Sequence, residues 1–511
     1  MTALMWVLGL AAAFGIASVV ALHSYGSFAK KARGAPSQAL PVTASDTPLD
    51  RLIAPELERH PGQTGLASVF DNKEAFALRA QSARAAERSI DALYYIWRDD
   101  MTGRLLAREL IAAADRGVRV RLLLDDINVQ GFDPSYLALD GHPGIEVRLF
   151  NPIRNRRSAL RRGIELLLGL IRFNRRMHCK AWLADGRMAL IGGRNVGDPD
   201  LGAADGRMRD GRDADLLVVG PSVQRASAVF DAYWNSGIAL PISALWKDHR
   251  TNLPRFRAKL DAEATAMSAR AYLDATLAGR DTEEALLPAA RMVWTASARV
   301  VADPPEKALG TGRDRWMPAA IAAVVQGATT SLRLVTPYFV PGREGLAQLQ
   351  EVAARGVHVQ VLTNSLSATN HIFVHGAYRR YRRPLLAAGV ALHEFAPIPH
   401  ARGVERMLHT KCLLVDGRTG FVGSFNFDLR SAFLNTEMGV LFDAPALVAD
   451  LAAELDRDSA AAQAHRLSLQ RGRLIWSHGG LPAPMMHEPG APATRRGVSW
   501  LIGHLPIHSL L

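Results

Sequence analysis

From residue 67 onward the chain alternates two kinds of apolar pattern. Apolar positions recur at helical spacing over 74–88 (EAFALRAQSARAAER) and 103–116, which predicts helices. SIDALYYIW (89–97) and VRVRLLLDD (118–126) are short apolar runs and predict strands, the second a buried one. The same order returns later. SLRLVTPYFV (331–340) predicts a strand, and GLAQLQEVAARGVHVQVLTNS (345–365) a helix followed by a second strand. RGVRVRLLLDD (116–126) and RGVHVQVLTNS (355–365) share one pattern, so the chain reads as an α/β protein made of two duplicated α/β halves.

The halves are expected at 67–240 and 301–465. Residues 241–300 predict a helical connector that runs on to Asp303-Pro304-Pro305. The tail 466–511, rich in Pro, Gly and His, predicts irregular structure. Residues 34–66, rich in Pro, Ser, Thr and Ala, predict a linker. Ahead of it, residues 2–22 carry no charge and are long enough to span a bilayer as a helix, so 1–33 is expected to be a membrane anchor. A cleaved signal peptide is the alternative, with Ser27-Phe28-Ala29 as its cleavage site. No Lys or Arg precedes the apolar run, while Lys30, Lys31 and Arg33 follow it, which by the positive-inside rule puts the rest of the chain in the cytoplasm.

Composition adds a partner class. Over 511 residues, 48% apolar and 22% charged is ordinary for a globular protein, but the net charge of +12 favours an anionic partner: nucleic acid, an anionic membrane or phosphate esters. Two cysteines, Cys179 and Cys412, imply no disulfide framework and are expected to be small buried hydrophobes.

The chemistry lies in a pattern present once per half, His-x-Lys-x4-Asp-x6-Gly-(Gly/Ser)-x-Asn. It runs His178, Lys180, Asp185, Gly192, Gly193, Asn195 and then His409, Lys411, Asp416, Gly423, Ser424, Asn426. Alternate strand residues share a face, so each His is expected beside its Lys. Asp185-Gly186 and Asp416-Gly417 predict hairpin turns. Each return strand (RMALIGG, RTGFVGS) then carries Asn195 or Asn426 back to the histidine end. The aspartates read as structural first and catalytic second, and the glycines as room for a phosphate oxygen. Two imidazoles and two ammonium groups meeting at one centre suggest phosphoryl transfer, and no Asp/Glu/His cluster predicts a metal or other cofactor.

This constellation resembles the phospholipase D superfamily over nearly the whole chain. The closer similarity is to bacterial cardiolipin synthases, particularly the C-type branch. It is carried by NRRMHCKAWLADGRMALIGGRNVGD (174–198), TPYFVPG (336–342), LTNSLSATN (362–370), LHTKCLLVDGRTGFVGSFNFDLRSAFLNTEMG (408–439) and LPIHSLL (505–511). The resemblance implies two halves in the phospholipase D fold, related by a pseudo-two-fold, behind a transmembrane helix in the bacterial inner membrane. It also implies His178 as nucleophile and His409 as acid and then base, although sequence alone leaves the reverse open. Lys180 and Lys411 would stabilise charge on phosphorus, and Asn195, Asn426, Gly193 and Ser424 would bind the substrate phosphate. Glu437, beside the second motif, and Asp213, in the first half, are the expected orienters of the imidazoles.

Phosphatidylglycerol is the implied acceptor, and phosphatidylethanolamine or a second phosphatidylglycerol the donor. A phospholipase D-type hydrolase, acting on phospholipid or less readily on nucleic acid, is the alternative, and a non-enzymatic membrane scaffold a third reading. Two further stretches bear on this choice. RRGIELLLGLIRFNRR (161–176) fits either a helix lying in the membrane interface or a core helix with solvated ends. YRRYRR (378–383) fits phosphate groups of lipid or nucleic acid, or a helix face with snorkelling arginines. Membrane lipid is the expected partner and nucleic acid is not, while an accessory protein is left open because a need for one is invisible in the sequence.

Overall fold

The apolar runs form the middle of two sheets. The computed structural model describes residues 2–42, 46–205, 208–246, 252–280, 283–397, 404–478 and 483–505. In chain order the first half contains β1 (Thr64–Val69), β2 (Ser89–Tyr94), β3 (Arg119–Asp125), β4 (Ile145–Phe150), β5 (Ala181–Ala184), β6 (Met188–Gly192), β7 (Asp210–Arg212), β8 (Asp215–Val219) and β9 (Ala239–Pro241). After β10 (Val293–Thr295) follow β11 (Arg299–Ala302), β12 (Ser331–Val335), β13 (His358–Asn364), β14 (Ala391–Phe395), β15 (Arg406–Leu408), β16 (Cys412–Val415), β17 (Thr419–Gly423), β18 (Met438–Asp443), β19 (Ala464–Gln470) and β20 (Arg473–Ser477).

One sheet runs β10-β1-β8-β6-β5-β2-β3-β4-β9 and the other β11-β18-β17-β16-β12-β13-β14-β19-β20. From β1 to β9 and from β11 to β19 they match strand for strand. The runs β2-β3-β4 and β12-β13-β14 are parallel, and every other neighbour in those stretches is antiparallel. Parallel neighbours need crossovers, which helices Met101–Asp115 and Asp133–Asp140 supply in one half, Gly342–Ala354 and Ile372–Ala387 in the other.

Strand periodicity decides what each face touches. In β5, Trp182 and Ala184 pack on the first half's own helices, while Ala181 and Leu183 face a core shared by both halves. In β16 the same split puts Cys412 and Leu414 in the shared core and Leu413 and Val415 in the second half's own core. Helices Pro221–Trp234 and Pro445–Ser459 fill the shared layer. Cys179 and Cys412 both lie in it as free, buried thiols.

Two expectations are corrected, for the linker and the tail, and the helical connector gains a strand at its end. Residues 34–66 are not a bare linker. Helix Pro48–Arg59 starts at a capping box of Thr47 and Asp50 and buries Leu49 and Ile53 in the first core, and β1 begins at Thr64. The connector packs Phe256, Leu260 and Tyr272 on that same core, then crosses over, with β10 extending the first sheet and β11 opening the second. The tail is regular. β19 and β20 close the edge of the second sheet, and helix Ala493–His504 packs against Ile372–Ala387. Of LPIHSLL, residues 506–511 lie outside the described residues.

The YRRYRR run points inward at Tyr378, Tyr381 and Arg382. Arg382 pairs with Glu394 at 2.7 Å and with Glu488 of the tail at 2.6 Å, so its role is to join buried segments. The N-terminal helix, Thr2–Ala32, is long and apolar enough from Leu4 onward to cross a membrane, and its side chains from Leu4 to Val20 are largely exposed. At its far end Tyr25 and Ala29 are buried against Ile153, Phe173 and Leu240, and the Tyr25 hydroxyl donates to the Pro152 carbonyl at 2.6 Å. Ser27-Phe28-Ala29 thus sits within a packed contact with the domain.

Candidate active site

Each motif hairpin turns on an Asp-Gly pair with both residues at positive φ: 52° and 66° at Asp185-Gly186, 53° and 63° at Asp416-Gly417. That is the turn whose twist matches antiparallel strands. The aspartates hold it from outside the site. Asp185 accepts from the backbone N–H groups of Glu87, Arg88 and Ser89, and Asp416 from those of Thr329, Thr330 and Ser331. Three such donors hold the Asp416 carboxyl well below the usual range, despite partial burial. Both anchor the start of a central strand, and neither reaches the cleft.

At the other end of the hairpins the two halves interlock. The His178 N–H donates to the Thr436 carbonyl and the His409 N–H to the Arg212 carbonyl, each at 2.8 Å. The residue after each acceptor is an acid. Glu437 Oε2 lies 2.8 Å from His178 Nδ1, and Asp213 Oδ2 lies 2.5 Å from His409 Nδ1. The orienting pairs are therefore crossed: each imidazole takes its carboxylate from the opposite half, not from beside its own motif. The short parallel pair β7–β15 locks the same seam, and the Arg430 guanidinium crosses it to Asn174 at 2.7 and 2.9 Å.

Lys180 and Lys411 are buried, and each donates to the carbonyl of its own motif histidine, Lys180 at 2.6 Å. Burial pushes the Lys180 ammonium down to about 7 and lowers Lys411 as well. The histidines differ. Burial and the ammoniums of Lys180 and Lys411 drive His178 well below the ordinary imidazole value. His409 is also lowered by burial and by Lys411, but the carboxylates of Asp213 and Asp200 oppose the shift. Asp213 itself is held below the carboxylate range by Lys411 and His409, although burial opposes it, whereas burial raises Glu437.

His178, His409, Asn195 and Asn426 line one cleft of about 760 Å³. The amide oxygens of both asparagines are buried without a hydrogen-bond partner among the described residues. Gly193 and Ser424, expected to touch phosphate, do something else. A Cβ on Gly193 would stand 2.4 Å from Asp213 Oδ1, so the glycine admits the acid. The Ser424 hydroxyl donates to Glu437 Oε2 at 2.5 Å and accepts from the Met438 N–H at 3.0 Å. Gly192 and Gly423 likewise leave room for the neighbouring strand, β8 or β18.

Sequence reasoning missed Asp200, Tyr95 and Arg430, which also line the cleft. Arg430 lies in a stretch singled out by resemblance, whereas Asp200 and Tyr95 carry no motif. Asp200, Asp213 and His409 bring ligand atoms within 4.8 Å of one another. The Lys411 ammonium, 3.6 Å from Asp213 Oδ2, supplies positive charge to that group.

The family model described as "Cardiolipin synthase, PLD-like domain" matches residues 80–234 and 321–459. Cardiolipin synthase C of Escherichia coli (strain K12) is 37% identical over 474 residues, which cover 90% of this chain and 98% of that protein. A cardiolipin synthase of Geobacillus kaustophilus (strain HTA426) is 27% identical over 405 residues, covering 78% and 67%. Among solved structures, the phosphatidylserine synthase of Haemophilus influenzae Rd KW20 superposes with a TM-score of 0.56 at 14% identity, over 82% of this chain and 92% of that one, a likeness of fold.

Proposed function

The chain belongs to the cardiolipin synthase family of phospholipase D-like enzymes, and from that premise we propose that it transfers a phosphatidyl group onto phosphatidylglycerol through an adduct on His178. The single observation that carries this reading is the crossed, unequal pairing of the two imidazoles. His178 is kept neutral by burial and nearby ammoniums, and its Nδ1–H is held by Glu437, which leaves the Nε2 lone pair as nucleophile. His409 sits against the ionised Asp213 and is the better proton carrier.

The donor is phosphatidylethanolamine or phosphatidylglycerol. His178 Nε2 forms a bond to phosphorus while the P–O bond to the headgroup breaks, and His409 gives its proton to the departing alkoxide, releasing ethanolamine or glycerol. His409 then takes the proton from the free hydroxyl of an acceptor phosphatidylglycerol. That oxygen bonds to phosphorus, the N–P bond breaks, and cardiolipin leaves. Lys180, Lys411 and the two asparagine amides meet the equatorial oxygens, where fixed donors stabilise developing charge. The N-terminal helix anchors the enzyme in the inner membrane, with Lys30, Lys31 and Arg33 favouring a cytoplasmic catalytic part.

The test is to incubate full-length protein with vesicles of phosphatidylglycerol, with and without phosphatidylethanolamine. Cardiolipin with ethanolamine released assigns the first donor, and cardiolipin with glycerol the second. Phosphatidic acid as the sole product would make the enzyme a hydrolase and refute the transfer. His178→Ala should abolish an acid-labile phospholipid adduct that wild-type protein forms on rapid quenching, and an adduct that survives in the variant overturns the nucleophile assignment.

A further inference from the structure

Helix Ala159–Leu168 and the turn that follows it present an apolar face that the described residues leave largely exposed. Leu160, Ile164, Leu167 and Ile171 are 75, 50, 58 and 81% exposed at spacings of four, three and four, one stripe of a helix that buries no residue fully. This is not the core helix that the sequence also allowed. The helix packs against the N-terminal helix near the point where that helix passes from exposed side chains (Leu22) to buried ones (Tyr25). If the N-terminal helix spans a bilayer, this level is its interface. The stripe then continues the span's own lipid-facing surface.

Between the two helices runs a groove of about 220 Å³, lined by Ala21, Leu22, Ile164 and Leu168 and rimmed by Arg154 and Arg161. No residue of this groove lines the catalytic cleft. The groove also holds one carboxylate, Glu165, but its oxygens accept from the backbone N–H groups of Arg154 and Asn155, each at 3.0 Å. Arg154 donates to Ser24 Oγ at 3.1 Å, which keeps it at the span, and its guanidinium lies 4.0 Å from Glu165 Oε1, so Arg161 is the rim's uncompensated cation. The Arg161 side chain has no hydrogen-bond or ion-pair partner among the described residues.

We propose that this groove is a second lipid site, which holds one anionic phospholipid of the surrounding bilayer apart from the reacting pair. Its acyl chain lies on Leu22, Ile164 and Leu168, and its phosphate meets Arg161 and Arg154. An apolar slot takes a chain of any headgroup, so the selection for negative charge comes from the arginines, which a zwitterionic lipid satisfies less well. A volume of 220 Å³ takes part of one chain, and the remainder of the lipid stays in the bilayer. The proposal rests on the membrane anchoring and not on the transfer chemistry.

The test uses full-length protein in a His178→Asn background, so that turnover does not change the vesicles. Both native thiols are buried, and Leu167→Cys, next to the groove but outside its lining, therefore carries a bimane reporter selectively. Vesicles contain equal parts of phosphatidylcholine and phosphatidylglycerol, with bromine on the chains of one or the other, so only the label moves between samples. Quenching at residue 167 should be at least twofold stronger when phosphatidylglycerol is brominated. Arg154→Ala with Arg161→Ala should bring the two samples level, while a reporter at Glu351 in the second half sets the background. Equal quenching by both lipids in the parent protein overturns the anionic site, and quenching no greater than at Glu351 overturns the groove's contact with lipid. Either failure leaves the transfer reading to be judged by its own products.

Discussion

Replacing Asp213 by Asn tests the division of labour between the histidines. The substitution keeps the shape that lies 2.5 Å from His409 Nδ1 and removes one negative charge. At an effective dielectric constant of about 20, a charge about 4 Å away contributes ~4 kcal/mol. With one pKa unit worth about 1.4 kcal/mol, His409 should become harder to protonate by about two to three units. The protonated fraction at neutral pH then falls by a factor of about 100 or more, and kcat with it if His409 is the acid. Leaving-group dependence separates this from a merely structural injury. A phosphatidylglycerol donor releases a poor alkoxide and needs the proton. A phosphatidyl-p-nitrophenol donor releases a stable phenolate and does not. We expect initial rates on vesicles to fall about 100-fold or more for the first donor and less than about tenfold for the second. An equal loss on both donors, or a wild-type rate on the first, would refute the assignment of His409 as acid.

Asp200→Asn removes the weaker carboxylate near His409, so the alkaline limb of kcat against pH should move to lower pH, by less than in Asp213→Asn; an unmoved limb excludes electrostatic support from Asp200. Asp416→Ala strands three backbone donors and should cost about 1–3 kcal/mol in denaturant unfolding while kcat per folded molecule stays within about threefold. A large loss of kcat at full folding would instead return this aspartate to the chemistry. Gly193→Ala places a methyl 2.4 Å from Asp213 Oδ1 and should lower kcat about tenfold or more with little change in KM, whereas a change confined to KM would mean that the glycine touches substrate.

Much of the fold was legible because the motif strands are short, wholly apolar runs, and an Asp-Gly turn at fixed spacing leaves one hairpin geometry. The duplication was visible in RGVRVRLLLDD and RGVHVQVLTNS, which became β3 and β13. Three features were not legible. Helix Pro48–Arg59 is too short and too proline-marked for its periodicity to stand out, and it is held by contacts such as Asp50 with Arg88. The strands of the tail, β19 and the edge strand β20, have an alternation diluted by polar residues. The crossed pairing of Glu437 and Asp213 is a tertiary fact: spacing identified both acids, but only docking decides which imidazole each one meets. The contacts of the motif glycines and Ser424 are hidden for the same reason, since docking brings an acid or a neighbouring strand against each of them.

The crossed pairs also bear on when this chemistry can begin. A chain synthesised as far as residue 300 holds His178, Lys180 and Asp213 but neither His409 nor Glu437. In that unfinished chain His178 has no carboxylate to fix its tautomer, and Asp213 has no imidazole to serve. A half-made or half-unfolded protein thus holds neither imidazole–carboxylate pair complete. Both pairs are completed together when the second sheet docks on the first, so the site has no working half that could exist before the whole.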